Sequence, residues 1–398
     1  MYVSKNWIFL CMLLLLQLVP LLGYNGLIVC VAFLFLYSII HIKRIIFLKY
    51  PSKHLINLVI IVALINIVYC KIVYNQGILD GLVGIYFIGL FFAYYFFYHY
   101  FIQHYERIDK VNDYILFIAA CISIVSVMQS VFFPYINVFA FSMRNGRMRI
   151  PGTAMSFFAE IIGIAYILCG KVNFKRKFAV LCLIFSLFFV SQSRGGIILL
   201  FLAVAVTLIK RLLDSRTRKS FLLLLLLIIS LIIGVIAISK TVYWNQIFSF
   251  IDEIQEGTGS GATRVNEMLY YFHQIKGKEL MGLGLLRGGS FLADKIFRTD
   301  IHYYIEDLGL LGFILQTGVA GAVWVIWTII SLIKKLSQLR KIGKEDAHFI
   351  SVILLMLLVV TLIGFTNANY IVARSTILFF SMLLAEADVL IVREYYIE

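Results

Sequence analysis

The sequence predicts an all-α polytopic membrane protein, with about twelve transmembrane helices and one long external loop carrying amphipathic helices. Three observations predict it. Of the 398 residues, 62% are hydrophobic and only 14% charged, and the mean hydropathy is +0.96. That composition excludes an ordinary soluble domain. Apolar runs of roughly spanning length recur from end to end. Basic residues gather in the short segments between alternate runs, which is how cytoplasmic loops are marked. A net charge of +14 in a soluble chain would suggest nucleic acid. Here the charge sits in membrane loops, so no nucleic-acid partner is expected.

Taken in order, the predicted spans are Trp7–Leu22, Leu27–His41, Leu55–Tyr74, Leu82–Ile102, Tyr114–Phe133 and Ala154–Leu168. They continue with Phe178–Val190, Gly195–Ile209, Phe221–Ser239, Leu308–Ile333, Phe349–Thr366 and Ile377–Val392. Residues 1–398 read as a single integral membrane domain. The first run has Lys5 before it, like a signal peptide, but no small-residue cleavage site follows, so it reads as a retained span. Basic clusters around Lys43 and Lys53, Lys171 and Lys177, Lys210 and Lys219, and Lys334 and Lys344 fall on one side. By the positive-inside rule that side is the cytoplasm, and both termini are expected there. The six cysteines lie within or at the ends of apolar runs and form no ligand spacing, so they read as packing residues.

Most of the loops on the other face are short. Lys240–Glu306, between the ninth and tenth spans, is long and of nearly balanced charge. Within it Val265, Met268, Leu269, Phe272 and Ile275 recur at helical spacing, predicting an amphipathic helix over Arg264–Ile275 near the membrane surface. The glycine-rich EGTGSGATR before it reads as a flexible lead-in, with Thr263 as the N-cap.

The seventh and eighth spans must cross and return between basic clusters at Lys177 and Lys210. That allows about 16 residues per crossing, roughly 24 Å, against a hydrocarbon core of about 30 Å. The turn SQSRGG is therefore expected to be recessed in a protein-lined cavity, with Gly195 and Gly196 making it tight. Arg194 in that turn is a cation in a costly place, which is a functional signal.

Arg144, Arg147, Arg149, Arg264 and Arg374 also fall on the external face. Arginine binds phosphate bidentately and stays charged, as a lipid-linked pyrophosphate would require. Competing readings stand beside this: Arg144 as solvated loop, and Arg147, Arg149 and Arg374 as interfacial snorkels or headgroup partners. Of the seven histidines only His273 and His302 fall outside, and His273 reads as surface decoration on the amphipathic helix. In IHYYIEDLG, any of His302, Glu306 and Asp307 could deprotonate a sugar hydroxyl, or the two acids could serve the helix start and its dipole. No zinc-type cluster, P-loop or nucleophile-elbow motif occurs, and no acidic residue lies in Gly23–Gly26. No metal or other cofactor is expected. The abundant Phe and Tyr read as packing or interfacial residues, with a glycan groove as the alternative.

Three segments resemble the O-antigen ligase and polymerase family of bacterial cell-envelope glycosyltransferases. RMRIPGTAMSFFAEIIGIAYIL (147–168) is similar to an arginine-and-glycine block leading into a span. SQSRGGIILLFLAV (191–204) is similar to a serine–arginine–glycine block and is the strongest match. GATRVNEMLYYFHQIKGKELMGLGL (261–285) resembles an arginine-opened helix followed by a G-x-G turn. The resemblance covers roughly Arg147 to Gly321. The ligase signature, a histidine followed by two spaced small residues, is not reproduced. Anchoring it on Gly318 and Gly321 puts Asp307 at the histidine, and anchoring on Gly309 and Gly312 leaves His302 a turn out of register.

The resemblance implies an O-antigen polymerase, or a polymerase of a related surface polysaccharide, acting in the bacterial inner membrane within lipopolysaccharide biosynthesis. Its substrates would be undecaprenyl-pyrophosphate-linked oligosaccharides, its surroundings membrane lipid, and a chain-length regulator a further partner. The site would face the periplasm or exterior. Arg194 and Arg264 would hold the pyrophosphate, Arg147, Arg149 and Arg374 would support phosphate or glycan, and His302, Glu306 or Asp307 would take the proton. The alternatives are an O-antigen ligase acting on lipid A–core and a flippase for lipid-linked oligosaccharide. No internal repeat of the kind common in transporters is visible.

Overall fold

The computed structural model describes residues 5–16, 26–144, 147–150, 154–191, 194–215, 259–299, 303–366, 369–374 and 376–396. The regular structure of the described chain is helical apart from one short hairpin. Helices α1 (Lys5–Leu16), α2 (Gly26–Ile40), α3 (Ile42–Phe47) and α4 (Lys53–Tyr74) come first. Then α5 (Ile78–Ile85) runs through a 3-10 stretch, Tyr86–Phe92, into α6 (Ala93–Gln103), and α7 (Ile108–Phe132) follows. Strands β1 (Ser142–Arg144) and β2 (Arg147–Arg149) precede α8 (Ala154–Leu168), α9 (Phe174–Ser186) and α10 (Arg194–Ser215). After α11 (Gly259–Gln274) and α12 (Phe291–Phe297) come α13 (Gly309–Ile342), α14 (Glu345–Ile363) and α15 (Ile377–Tyr396).

Among the described residues, five helical stretches are long and apolar enough to cross a membrane: Lys53–Tyr74, Ile78–Gln103, Tyr105–Phe132, Ile305–Ile342 and Glu345–Ile363. Trp7–Leu16, Gly26–Ile40, Met155–Leu168 and Gly195–Lys210 are shorter apolar helices. Large apolar side chains remain on outer faces, as Ile326, Trp327, Ile330 and Ile333 do on α13. A bilayer covers such a surface where water would not. The ninth predicted span, Phe221–Ser239, lies outside the described residues. Two expectations change. The segment 142–149 forms an antiparallel hairpin rather than loop. Gly195 and Gly196 belong to the first turn of α10, not to the turn before it, which is a π-helical Leu187–Ser191 at the end of α9.

The core is built around α15. Every residue from Ile377 to Val389 is buried, so this helix is surrounded on all sides. From Ile377 to Val389 the helix is apolar apart from Ser381, Glu386 and Asp388, so no face gains enough by meeting solvent to stay exposed. Helix α6 packs along it most extensively. The aromatic run Tyr94, Tyr95, Phe96, Phe97, Tyr98, Tyr100 and Phe101 is buried there, so these rings pack the core and do not line a groove.

The two carboxylates that α15 itself places in this core each have partners, as burial of charge demands. Asp388 accepts from the Ser52 hydroxyl at 2.6 Å and the Tyr94 hydroxyl at 2.8 Å, and it pairs with the Lys335 ammonium. Glu386 accepts from the Asn112 side chain at 3.2 Å. Further ion pairs gather at one end of the bundle: Lys171 with Asp109 and Asp346, Arg176 with Asp113, and Lys344 with Glu394. This basic end holds the links between α2 and α4, α8 and α9, and α13 and α14. The hairpin, the α9–α10 turn, α11, α12 and the segment before α15 belong to the opposite, loop end.

Candidate functional site

At the loop end, α11, α12 and the turn before α13 share a small core of their own. Tyr271, Leu283, Leu286, Ala293, Phe297, Ile305 and Leu308 are buried together with Cys70 of α4 and Leu315 of α13. The Tyr270 and Tyr271 hydroxyls donate to the carbonyls of Ile296 and Phe297 at 3.0 and 2.8 Å. The described part of the long loop, from Gly259 on, is thus a folded cap seated on the bundle.

Its connection to the bundle is re-entrant. Helix α13 is interrupted at Gly318, whose φ of 66° and ψ of −151° lie in a region that essentially only glycine occupies. The irregular stretch Glu279–Gly284 lies against this break. Leu283 and Gly284 donate to the carbonyls of Leu315 and Gln316 at 2.8 and 2.9 Å, and Val319 donates to Glu279 at 3.0 Å. Asn66, inside α4, donates to the Met281 carbonyl at 3.1 Å and accepts from the Leu285 amide. Asn66 is eight residues below Tyr74, so the stretch dips about 12 Å beneath the end of α4 at 1.5 Å per residue. Irregular backbone is tolerated at such depth when protein satisfies its polar groups, as it does here. The G-x-G turn Gly282–Gly284 and the QTGVAG segment are thus two halves of one joint.

The cap holds α11 in a specific orientation. The helix begins at Gly259, so EGTGSGATR is helical from there on and Thr263 is inside the helix and not its N-cap. The buried face differs from the expected apolar one. Ala262, Glu267 and Tyr271 point inward, while Leu269 and Phe272 are exposed. Glu267 is 1% exposed. One oxygen accepts the Tyr304 backbone N–H at 2.9 Å; the other, Oε2, is buried and has no hydrogen-bond partner among the described residues. Burial pushes its carboxyl above the ordinary carboxylate range; the Tyr304 N–H and Arg264 pull it down and Asp307 raises it. Arg264, one turn earlier on α11, and Asp307, exposed at the mouth of α13, are therefore close enough to act on one buried carboxylate.

Among the other expected site residues, Glu306 and Arg374 are brought together. The guanidinium donates to the Glu306 carboxylate at 2.7 Å and lies over the Phe87 ring, 5.6 Å from its centre. The pair is solvent-accessible, and it commits Glu306 to a cation. His302 lies outside the described residues. The structure describes Arg147, Arg149 and Arg194 by their backbone. The hairpin register pairs Arg144 with Arg147 and Ser142 with Arg149, while Met143 pairs with Met148. Side chains alternate along a strand, so the three arginines occupy positions of one face and the methionines positions of the other. Arg144, read above as loop, is thus in strand β1. Strand β2 packs beside the π-helical turn before Arg194, and Ile150 and Val190 share a small apolar contact there. Tyr370, four residues before Arg374, stacks on Phe157 of α8 with ring centres 3.7 Å apart.

Glu267 was missed by sequence reasoning because one acid on an amphipathic helix reads as a solvated face. The signal lay in its spacing, three residues after Arg264 and four before Tyr271, which puts all three on one side of the helix. Among the described residues no group of three or more His, Cys, Asp or Glu is arranged to hold a metal ion. No protein-family model matches this chain, and no curated protein matches it either.

Proposed function

We propose that the chain is a bacterial inner-membrane glycosyltransferase that joins repeat units carried on undecaprenyl pyrophosphate, an O-antigen or related surface-polysaccharide polymerase. In this reading the basic end faces the cytoplasm with both termini, about twelve spans cross the membrane, and the loop end faces the periplasm or exterior. The observation that carries the reading is the convergence of Arg264, Glu267 and Asp307 where the folded cap meets α13. Lipid-linked pyrophosphate would present its charge at this membrane depth.

The reaction needs two services from the protein. The acceptor hydroxyl loses its proton to a carboxylate as its oxygen bonds to the anomeric carbon. The bond from that carbon to the pyrophosphate oxygen breaks, and the departing pyrophosphate carries the negative charge away. Arg194 and Arg264 neutralise that developing charge, with Arg147 and Arg149 supporting the glycan or phosphate. Asp307, exposed beside Glu267, takes the proton; His302, five residues earlier, is the competing base.

The test is reconstitution of the purified protein in proteoliposomes with an undecaprenyl-pyrophosphate oligosaccharide. Polymer and released undecaprenyl pyrophosphate are the expected products, and Arg194→Lys should remain inserted yet shorten the polymer strongly. Full-length polymer from that variant would overturn the assignment. Transfer only to lipid A–core would make the protein a ligase, and movement of substrate without bond formation a flippase.

A further inference from the structure

The outward apolar stripe of α13 starts late. Its exposed large side chains are Val319, Val323, Ile326, Trp327, Ile330 and Ile333, whereas no residue from Gly309 to Gly318 is exposed. Lys334 closes the stripe at the basic end. From Val319 to Ile333 the helix rises about 21 Å, roughly 9 Å less than a hydrocarbon core of about 30 Å. A deficit of that size thins the bilayer unless a neighbouring segment supplies apolar surface.

The re-entrant stretch stands where that surface is missing. Val319 donates to the Glu279 carbonyl at 3.0 Å, so Leu280 lies beside the start of the stripe. The next residue, Met281, accepts from Asn66 at 3.1 Å, which puts Leu280 level with the inner part of α4 and not with its end. At that level α4 turns Ile65 and Val68 outward, 46% and 58% exposed, and Leu280 is itself 66% exposed. A single exposed leucine on a water-facing surface needs no explanation. This one stands at a depth where the two helices flanking it present apolar side chains outward.

The polar end of the stretch goes the other way. Lys278 donates to the Tyr74 hydroxyl at 3.2 Å and lies 5.2 Å from the centre of that ring. Tyr74 is the last residue of α4. Tyrosine and lysine at a span end suit the headgroup level, each with an apolar body below and a polar tip above. Two positions of chain therefore separate a cation at the span end from a leucine beneath it.

We propose that Leu280 inserts among the acyl chains of the leaflet on the loop-end side, with Lys278 held at headgroup level on Tyr74, so that the re-entrant stretch is a membrane-contact surface of the cap. Its partner is bilayer phospholipid, and the joint at Gly318 sets the depth of insertion. The inference rests on the membrane reading of the fold and not on the glycosyltransferase reading.

The experiment places the photoreactive residue p-benzoylphenylalanine at Leu280 in the full chain, reconstituted one copy per phosphatidylcholine nanodisc. Adducts are read by peptide mass spectrometry, with the same substitution at Ile330 as the lipid-facing reference. Illumination should add one phosphatidylcholine to the peptide carrying Leu280, as it does at Ile330. Independently, Leu280→Asp should lower the melting temperature in nanodiscs by several degrees, while Leu280→Phe should leave it unchanged. In water that acidic substitution at an exposed position would cost little. A lipid adduct at Ile330 with none at Leu280, an adduct at Leu280 to protein alone, or an aspartate variant as stable as wild type would each overturn the proposal.

Discussion

The Glu267 carboxylate accepts the backbone N–H of Tyr304 at 2.9 Å, tying the helix that carries Arg264 to the turn that carries Glu306 and Asp307. Glu267→Gln preserves an oxygen for that bond and removes the charge beside Asp307. If this charge tunes the proton acceptor, the variant should insert normally and lose polymerisation on the order of 100-fold. A pH profile of the rate should shift as well, which loss of a purely structural clamp would not cause. Glu267→Ala, lacking the oxygen, should additionally loosen the cap, measurable as faster hydrogen exchange at Tyr304.

The same carboxylate makes cap stability depend on pH in a defined direction. Burial, its largest influence, holds the folded group above its ordinary value of 4.5. Below that value both folded and unfolded chains keep the proton, so the group is neutral toward stability. As pH rises above it the unfolded chain ionises first, and stability falls until the raised folded value is passed. Melting temperature measured from pH 4.5 toward neutral should decline more in wild type than in Glu267→Gln. A steeper decline in the variant would contradict the burial argument.

Glu306 and Asp307 are neighbours with different expected roles. Glu306 is paired with Arg374 at a solvent-accessible site, where such a pair contributes about 0–1 kcal/mol. Glu306→Gln should therefore change polymerisation by less than about tenfold, whereas Asp307→Asn should remove most of it. His302→Ala assayed in parallel separates the two candidate bases: retained activity assigns the proton to Asp307.

Helix α13 and the re-entrant stretch meet too closely for any side chain at the joint. A Cβ on Gly318 would approach the Glu279 and Leu280 carbonyl oxygens to 2.5 Å, and one on Gly282 would approach the Gln316 backbone as closely. Both glycines have positive φ. Gly318→Ala or Gly282→Ala should cost about 2–4 kcal/mol. The expected readout is a lower melting temperature in detergent together with protease sensitivity between α11 and α13. Wild-type resistance in both variants would show that the joint is looser than this geometry.

Inside the bundle, Lys335 and Asp388 are 7% and 0% exposed as side chains. Removing one partner leaves a buried charge, so Lys335→Met alone should destabilise by about 3–5 kcal/mol. Lys335→Met combined with Asp388→Leu should be milder than either single change, because no charge is stranded. Thermal unfolding of the three purified variants checks the order.

How far the sequence could be read follows from the kind of signal each part emits. Helix α8 begins and ends where its apolar run does, and α11 was expected from its 3.6-residue period. The hairpin emits no such signal, because three-residue strands reading SMR and RMR carry no apolar alternation. The tight turn expected at Gly195 and Gly196 was one residue type read too locally: glycine also tolerates a helix's first turn. Of the candidate site, Arg264 was legible as the charge opening an amphipathic helix and Asp307 as an acid at the mouth of a span. Glu267, the residue between them, was not.

Composition and the placement of basic residues by themselves determined a helical bundle with apolar outer faces, and an end that gathers the cationic loops. They could do so because burial in lipid and charge at an interface are properties of segments, readable one run at a time. Only the tertiary structure decided that α15 is the core helix, that Gly282 and Gly318 close one joint, and that the buried Glu267 ties the helix bearing Arg264 to the turn bearing Asp307. Those relationships depend on which faces meet across long stretches of chain, as Ser52 and Asp388 do 336 positions apart. Packing complementarity, not local periodicity, selects such pairs.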